Sequence, residues 1–331
     1  MDSSAMDLRR AFWTVIIAVG LCACLSSATQ ADIYPSRAIK LIVPFPPGGA
    51  DVLARLMADR LAAALGQPVV VENRAGGGGG TVGTKVVAAA EPDGYTLLFT
   101  SPGPLTTSAA VYRNLDYDPI RNFAPVAMVA TSPVLLAVHP DVPAHSMAEL
   151  IAYARAHPGA LSYASVGNGT LPHLFGELLR QRTGIEIVHV PYRGSGPAIT
   201  DLLAGQVHML IDNTRNLTQL IETGRIRALA VTSETRALDY PQLPTMPESG
   251  YPEFVATYWN GMLAPAGTSA AIIERLNAVI NASLVTLDVR ASIGKLGMTP
   301  GGGSPQEFAA RIADELRKWT AVARAANIKV D

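Results

Sequence analysis

Cysteine is nearly absent from this chain. It has 2 in 331 residues, Cys22 and Cys24, and both fall in the first 24 positions. From Leu25 onward no disulfide framework and no thiolate chemistry can be built. A chain of about three hundred residues buries enough surface to fold without such staples. Charge of one sign is lacking too: 26 Lys and Arg face 27 Asp and Glu, for a net charge of −1. That balance supplies no basic field, so a nucleic-acid partner or an anionic membrane surface is not expected. Aromatics are sparse at 6% and charged residues at 16%, while 29 Gly and 24 Pro mark many tight turns. The six histidines, at 139, 145, 157, 173, 189 and 208, never adopt a dense metal-ligand spacing. No G-x-S-x-G elbow is present, and no acid, base and nucleophile fall into a recognisable catalytic pattern. Neither an enzyme nor a bound metal or cofactor is expected.

The long hydrophobic runs are limited to one, at the N-terminus. Arg9-Arg10 precede an apolar stretch from Ala11 to about Leu25, followed by small and polar residues to Thr29-Gln-Ala31. This pattern predicts a secretory signal peptide over residues 1–31. Leu21-Cys-Ala-Cys24 loosely resembles a bacterial lipobox, so lipidation at Cys24 stands beside cleavage after Ala31.

The rest of the chain is organised around Leu41-Ile-Val-Pro-Phe-Pro-Pro-Gly-Gly-Ala-Asp-Val-Leu-Ala-Arg55. The run Ile39 to Val43 predicts a buried strand of a parallel sheet. A Pro/Gly turn leads into a helix with Leu53, Leu56, Met57, Leu61, Ala64 and Leu65 on one face, Asp51 as its N-cap, and Gly66 as its stop. Backbone N–H groups at Gly48, Gly49 and the first helical turn would then converge on an anion. Further strands are expected at Val69 to Glu72 and Thr96 to Thr100, with a glycine loop after Asn73 and a helix from Thr81 to about Ala90. Strands alternating with helices argue for a parallel α/β sheet, whose ligands sit beyond the carboxyl ends of the strands. Gly48, Gly49, Asn73, Thr100 and Ser101 all belong there.

Pro125 to Val138 reads as a strand leaving one lobe for a second, where the pattern restarts with a Met147 to Ala156 helix and a Leu161 to Ser165 strand. Asn168-Gly-Thr170 then repeats the glycine turn, with Thr170 as N-cap of a helix ended by Gly184. His173 lies in its first turn, where helix capping or packing competes with ligand contact. Asp212 ends a strand of the second lobe and is a further candidate. Trp259 to Leu263 is expected to cross back. The helices from Ser269 to Leu287 and from Pro305 to Arg324 complete the first lobe. The expected division is 32–132 with 254–331 for lobe I and 133–253 for lobe II, a hinge architecture. Gly78-Gly-Gly-Thr-Val-Gly83 matches G-x-G-x-x-G, but a run of five glycines matches many patterns, and a flexible rim loop explains it.

Val43-Pro-Phe-Pro-Pro-Gly-Gly, Val71-Glu-Asn-Arg, Pro92-Asp-Gly-Tyr-Thr96, His189-Val-Pro-Tyr192, Arg227-Ala-Leu-Ala-Val-Thr-Ser233 and Ala264-Pro-Ala-Gly267 occur in series. In this order they resemble the Bug family of substrate-binding proteins of tripartite tricarboxylate transporters. The resemblance implies a two-lobed, type II-like periplasmic binding protein, each lobe a mostly parallel sheet flanked by helices, joined by two crossing strands. It implies a monomeric receptor that closes on a small carboxylate or amino acid and delivers it to a membrane permease. It places ligand contacts at Phe45, Gly48, Gly49 and Asp51, and at Ser165, Gly167, Gly169 and Thr170. Two departures stand out: Ala50 alone separates Gly-Gly from Asp51, where the family usually has two residues, and Thr81 replaces a frequent Asn. A ligand sensor signalling to a membrane partner is the alternative, and a secreted α/β enzyme a weaker one.

Overall fold

The computed structural model describes residues 34–77, 79–237 and 239–330. The expected signal peptide, with Cys24 and Ala31, lies outside them.

The anchoring stretch folds as β1 (Ile39–Val43), whose side chains are almost all buried, followed by α1 (Gly49–Leu65). β1 lies between two parallel neighbours, β2 (Val69–Asn73) and β3 (Thr96–Thr100). The helix buries Leu53, Ala54, Met57, Ala58, Leu61 and Leu65, a stripe at helical spacing. Ala64, expected on that face, is exposed, and Ala54 and Ala58 take its place. Gly66 closes the helix in the left-handed conformation, and its amide reaches Ala62 O at 3.0 Å. The glycine loop leads into α2 (Thr81–Ala88). After β3 the chain makes a π turn, Gly103–Thr107, that runs on into the one-turn helix α3 (Ser108–Val111).

β4 (Phe123–Val138) is the long strand of the molecule. Its first part pairs antiparallel with β9 (Thr257–Pro265) and with β10 (Thr299–Gly302). Its last five residues pair instead with β7 (Met209–Asn213) and β8 (Arg227–Val231). Beyond β7 come β5 (Leu161–Ser165) and β6 (Ile187–Pro191), parallel to it in order. The strand order β2-β1-β3-β9-β4-β7-β5-β6 therefore has a parallel set at each end, joined in the middle by the antiparallel pair β4 and β9. These are the two lobes and the two crossing strands.

The remaining helices are α4 (Met147–Ala156), α5 (Leu171–Thr183), α6 (Ser195–Leu203), α7 (Thr214–Glu222), α8 (Ala270–Leu284), α9 (Leu287–Lys295) and α10 (Pro305–Ala325). The sequence expectation missed α3, α7, α9 and β10. A single helix was expected over 269–287. The chain breaks at Thr286, and α9 starts again at a sharp angle to α8. α10 opens on a capping box between Ser304 and Glu307 and packs against α3, the π turn and α5 at once. Its Trp319, Val322 and Ala323 join the second-lobe core around Leu136, Tyr163, Phe175 and Met209. Among the described residues no single helix is long and apolar enough to cross a membrane.

Candidate functional site

The candidate residues lie at the carboxyl ends of β1, β2, β3, β5 and β7. At the first, helix geometry leaves the amides of Gly49, Ala50 and Asp51 ahead of the first intrahelical bond, Val52 N to Gly48 O at 2.9 Å. Gly48 is the N-cap, in an extended conformation, and both glycines are exposed. Asp51 therefore does not cap the helix, contrary to the expectation. The helix already starts at the Gly-Gly pair, which puts Asp51 inside the first turn with its side chain buried. There Arg55 Nε donates to Asp51 Oδ2 at 3.0 Å. Burial raises the Asp51 pKa, but hydrogen bonds from Arg55 and Asn73 outweigh it and hold the carboxyl below its usual range. Asn73 ties the ends of β1 and β2 together: its Nδ2 donates to Phe45 O at 3.1 Å and its Oδ1 accepts from Arg55 Nη2 at 3.3 Å. Arg55 is the residue that sequence reasoning passed over here.

The glycine loop closes over this corner. A Cβ on Gly80 would stand 2.9 Å from both Phe45 Cε1 and Pro44 O, and one on Gly83 2.9 Å from Pro44 Cα. Gly80 and Gly83 serve close backbone approach. A Cβ on Gly79 would meet Ser108 Oγ at 2.3 Å, and Gly103 lies against Gly79 O. Thr100 and Ser101 feed straight into that π turn, and Val111, at the end of α3, packs against Gly169. Phe45, the glycine loop, the segment after β3 and the β5–α5 loop thus form one continuous neighbourhood. Within it Thr100 Oγ1 and Asp51 Oδ1 are buried with no hydrogen-bond partner among the described residues.

In the second lobe, Ser165, Gly167, Gly169, Thr170 and His173 are drawn together by a dense set of hydrogen bonds. Thr170 is the N-cap of α5 by position, yet its Oγ1 donates backward to Gly167 O at 2.7 Å instead of capping the helix. Gly167 N donates to Ser165 Oγ at 3.2 Å, and Gly169 N donates to His173 Nδ1 at 3.0 Å. Those two amides are therefore engaged within the loop. The first helical bond is Leu174 N to Thr170 O, so the amides of Leu171 and His173 precede it and Pro172 has none.

Beneath the loop lies a polar stack, buried at Tyr163 and His173 and half-buried at His189. The His173 and His189 rings are 3.8 Å apart and nearly parallel at 7°, and Tyr163 stacks on His189 at 4.9 Å. Ser165 Oγ is 2.7 Å from His189 Nε2, and Tyr163 OH donates to Glu177 Oε1 at 2.8 Å, which in turn pairs with Arg180. Burial depresses both imidazoles. His189, further opposed by His173, falls to about 4, while Glu177 partly offsets the effect at His173.

Asp212 lies at the same sheet edge, because β7 runs parallel to β5. Its carboxylate is buried and accepts from Asn213 N at 2.7 Å and from Asn216 Nδ2 at 3.3 Å. Burial raises its pKa against hydrogen bonds from Ser195, Asn213 and Asn216. Asn213 Nδ2 donates to Ser132 Oγ on β4, which ties this edge to the crossing strands. Among the described residues no group of three or more His, Cys, Asp or Glu could hold a metal ion.

Two α/β lobes joined by an antiparallel pair, with glycine turns and helix N-termini gathered at the strand ends, define a two-lobed periplasmic binding protein. Residues 53–328 match the family described as "Tripartite tricarboxylate transporter family receptor", and the chain belongs to that family. It is 42% identical over 308 residues to Protein BugT of Bordetella pertussis, covering 92% of this chain and 94% of that one. Among solved structures, Rpa4515 of R. palustris with adipate is similar at 40% identity and a TM-score of 0.73, over 89% of this chain and 99% of that one. MatC of Rhodopseudomonas palustris with bound malate is similar at 33% identity and a TM-score of 0.69, over 87% and 99%.

Proposed function

We propose that the protein is an extracytoplasmic receptor that captures a small di- or tricarboxylate between its lobes and hands it to a tripartite tricarboxylate transporter permease. The observation that carries this reading is the pair of glycine turns, one in each lobe. Each ends a strand and opens a helix whose first amides have no intrahelical acceptor. A helix N-terminus contributes about 0.3–1 kcal/mol to a bound anion when exposed and up to ~2 when partly buried. Each charge-assisted hydrogen bond adds about 1.5–3 kcal/mol. Two such ends reach the roughly −8 kcal/mol of micromolar binding without an arginine clamp. The similar proteins seen with adipate and malate support a dicarboxylate, and the partnerless Thr100 Oγ1 and Asp51 Oδ1 support a hydroxyl or a bridging water beside it.

On this reading, the direct contacts come from Phe45, Gly48, Gly49, Thr100, Ser101 and the β5–α5 loop, and Asp51, Asn73, Ser165 and Asp212 shape the cleft. Lobe I takes 32–132 and 254–331 and lobe II 133–253, closing about the β4 and β9 crossing, with the end of α10 reaching across onto the lobe II core. Location in the periplasm, export by residues 1–31 and a monomeric state belong to the same proposal. Titration calorimetry of the mature chain with adipate and malate tests it. Saturable binding that is lost in Gly48→Val is the expected result. Unchanged affinity in that variant, or no heat with any carboxylate from a folded sample, refutes the site.

A further inference from the structure

We propose that His173 and His189 are a stacked positioning pair that holds the β5–α5 loop in its ligand-ready conformation, and that a proton on the pair releases it. The term ligand-ready rests on the carboxylate-receptor reading; the positioning itself does not. Each ring grips one of the two loop glycines. His173 Nδ1 accepts the Gly169 amide directly at 3.0 Å. His189 Nε2 holds Ser165 Oγ at 2.7 Å, and that hydroxyl both accepts from Gly167 N at 3.2 Å and donates to Gly167 O at 3.1 Å. With the rings 3.8 Å apart, the two grips move as one body.

The pair has one workable charge state. A nitrogen that accepts an amide N–H must carry a lone pair, so His173 must be the neutral tautomer with its proton on Nε2. Protonation would set an N–H against the Gly169 N–H. His189 tolerates a proton on Nε2 toward Ser165, but a second proton would place a cation against a buried imidazole. The titratable groups beside the pair are Tyr163 from β5 and Glu177 from α5, with Arg180 paired to Glu177, and α3 brings the apolar Val111 against Gly169. Glu177 already pairs with Arg180 and accepts from Tyr163, so its charge is largely committed elsewhere. Burial keeps both rings neutral at pH 7. His173, a candidate ligand contact by sequence, turns its Nδ1 inward. It is a positioning residue.

The test begins on the ligand-free receptor. Long-range 1H–15N spectra of the imidazoles should show His173 Nδ1 unprotonated at pH 7, and amide exchange at Gly169 should quicken at least tenfold in His173→Ala. Calorimetry with adipate should then show a tenfold or greater loss of affinity in His173→Ala. His173→Gln, whose side-chain carbonyl can accept the same amide, should recover much of that loss. Below pH 6 the wild-type affinity should fall relative to His173→Gln, a comparison that removes the titration of adipate itself. A protonated Nδ1, unchanged Gly169 exchange in His173→Ala, or equal pH profiles for wild type and His173→Gln overturns the proposal. If wild type gives no heat with adipate, malate or any other carboxylate while the spectra and exchange behave as stated, the positioning pair stands and the carboxylate reading falls.

Discussion

Gly169→Ala separates two physical roles that one glycine plays in this fold. Gly169 sits at φ +73, where an L-residue costs about 1–2 kcal/mol. Its Cβ would also stand 2.6 Å from Val111 Cγ2, inside a contact that joins the segment after β3 to the β5–α5 loop. Crowding of this kind in a packed region costs about 1–3 kcal/mol. The sum, about 2–5 kcal/mol, is a large part of a typical folding free energy of about 5–15 kcal/mol. A larger residue here therefore lowers stability, whatever it does to binding. Urea unfolding of four proteins measures it: wild type, Gly169→Ala, Val111→Ala and the double variant. In the Val111→Ala background the alanine should cost only its backbone share, so the cycle should yield a coupling of about 1–3 kcal/mol. Equal costs in both backgrounds, or a cost below about 0.5 kcal/mol in wild type, would refute the steric argument.

Gly48→Val should behave in the opposite way. The residue is extended at φ 171 and its Cβ would meet nothing closer than Pro46 O at 3.8 Å, so the melting temperature should stay near wild type while adipate binding is lost. Gly176→Ala should destabilise strongly, because its Cβ would fall 2.1 Å from Tyr163 Cε2 and displace the ring that covers His189. Differential scanning calorimetry should show a loss of about 2 kcal/mol or more. Glu315→Ala should cost about 2 kcal/mol in urea, since it strands Trp259 Nε1, now 2.9 Å from Glu315 Oε2, and leaves Arg311 without its carboxylate. Stability should also fall between pH 6.5 and 4. His189 is depressed to about 4 in the fold, so the unfolded chain holds more protons in that window, and the loss should reach up to ~3 kcal/mol and shrink in His189→Asn.

The fold was largely legible where apolar runs meet glycine or proline. β1, β3, α4 and β5 have the ends that the sequence indicates, since Pro44, Ser101-Pro102, His157-Pro158 and Val166-Gly167 punctuate them. Where that punctuation is missing, the reading failed. Val285, Thr286 and Leu287 look like a continuing helix, yet the chain breaks there and leaves Val285 and Leu287 exposed. β10 carries Pro300, Gly301 and Gly302, residues that argue against any strand. It exists because β4 offers an unpaired edge for it. At the site the same division holds. The two glycine turns were visible because each is a local pattern of strand, turn and helix. The Asp51 assignment failed because the helix starts at an extended Gly48 with no side-chain cap, so the first turn swallowed the acid. The stack of Tyr163, His189 and His173 was not legible at all, for Ser165 meets a histidine 24 residues away and no spacing rule encodes that meeting. Local turns place amides where an anion can reach them, but the rigidity that makes those amides useful comes from side chains joined through the tertiary fold. A short motif search finds the first and misses the second.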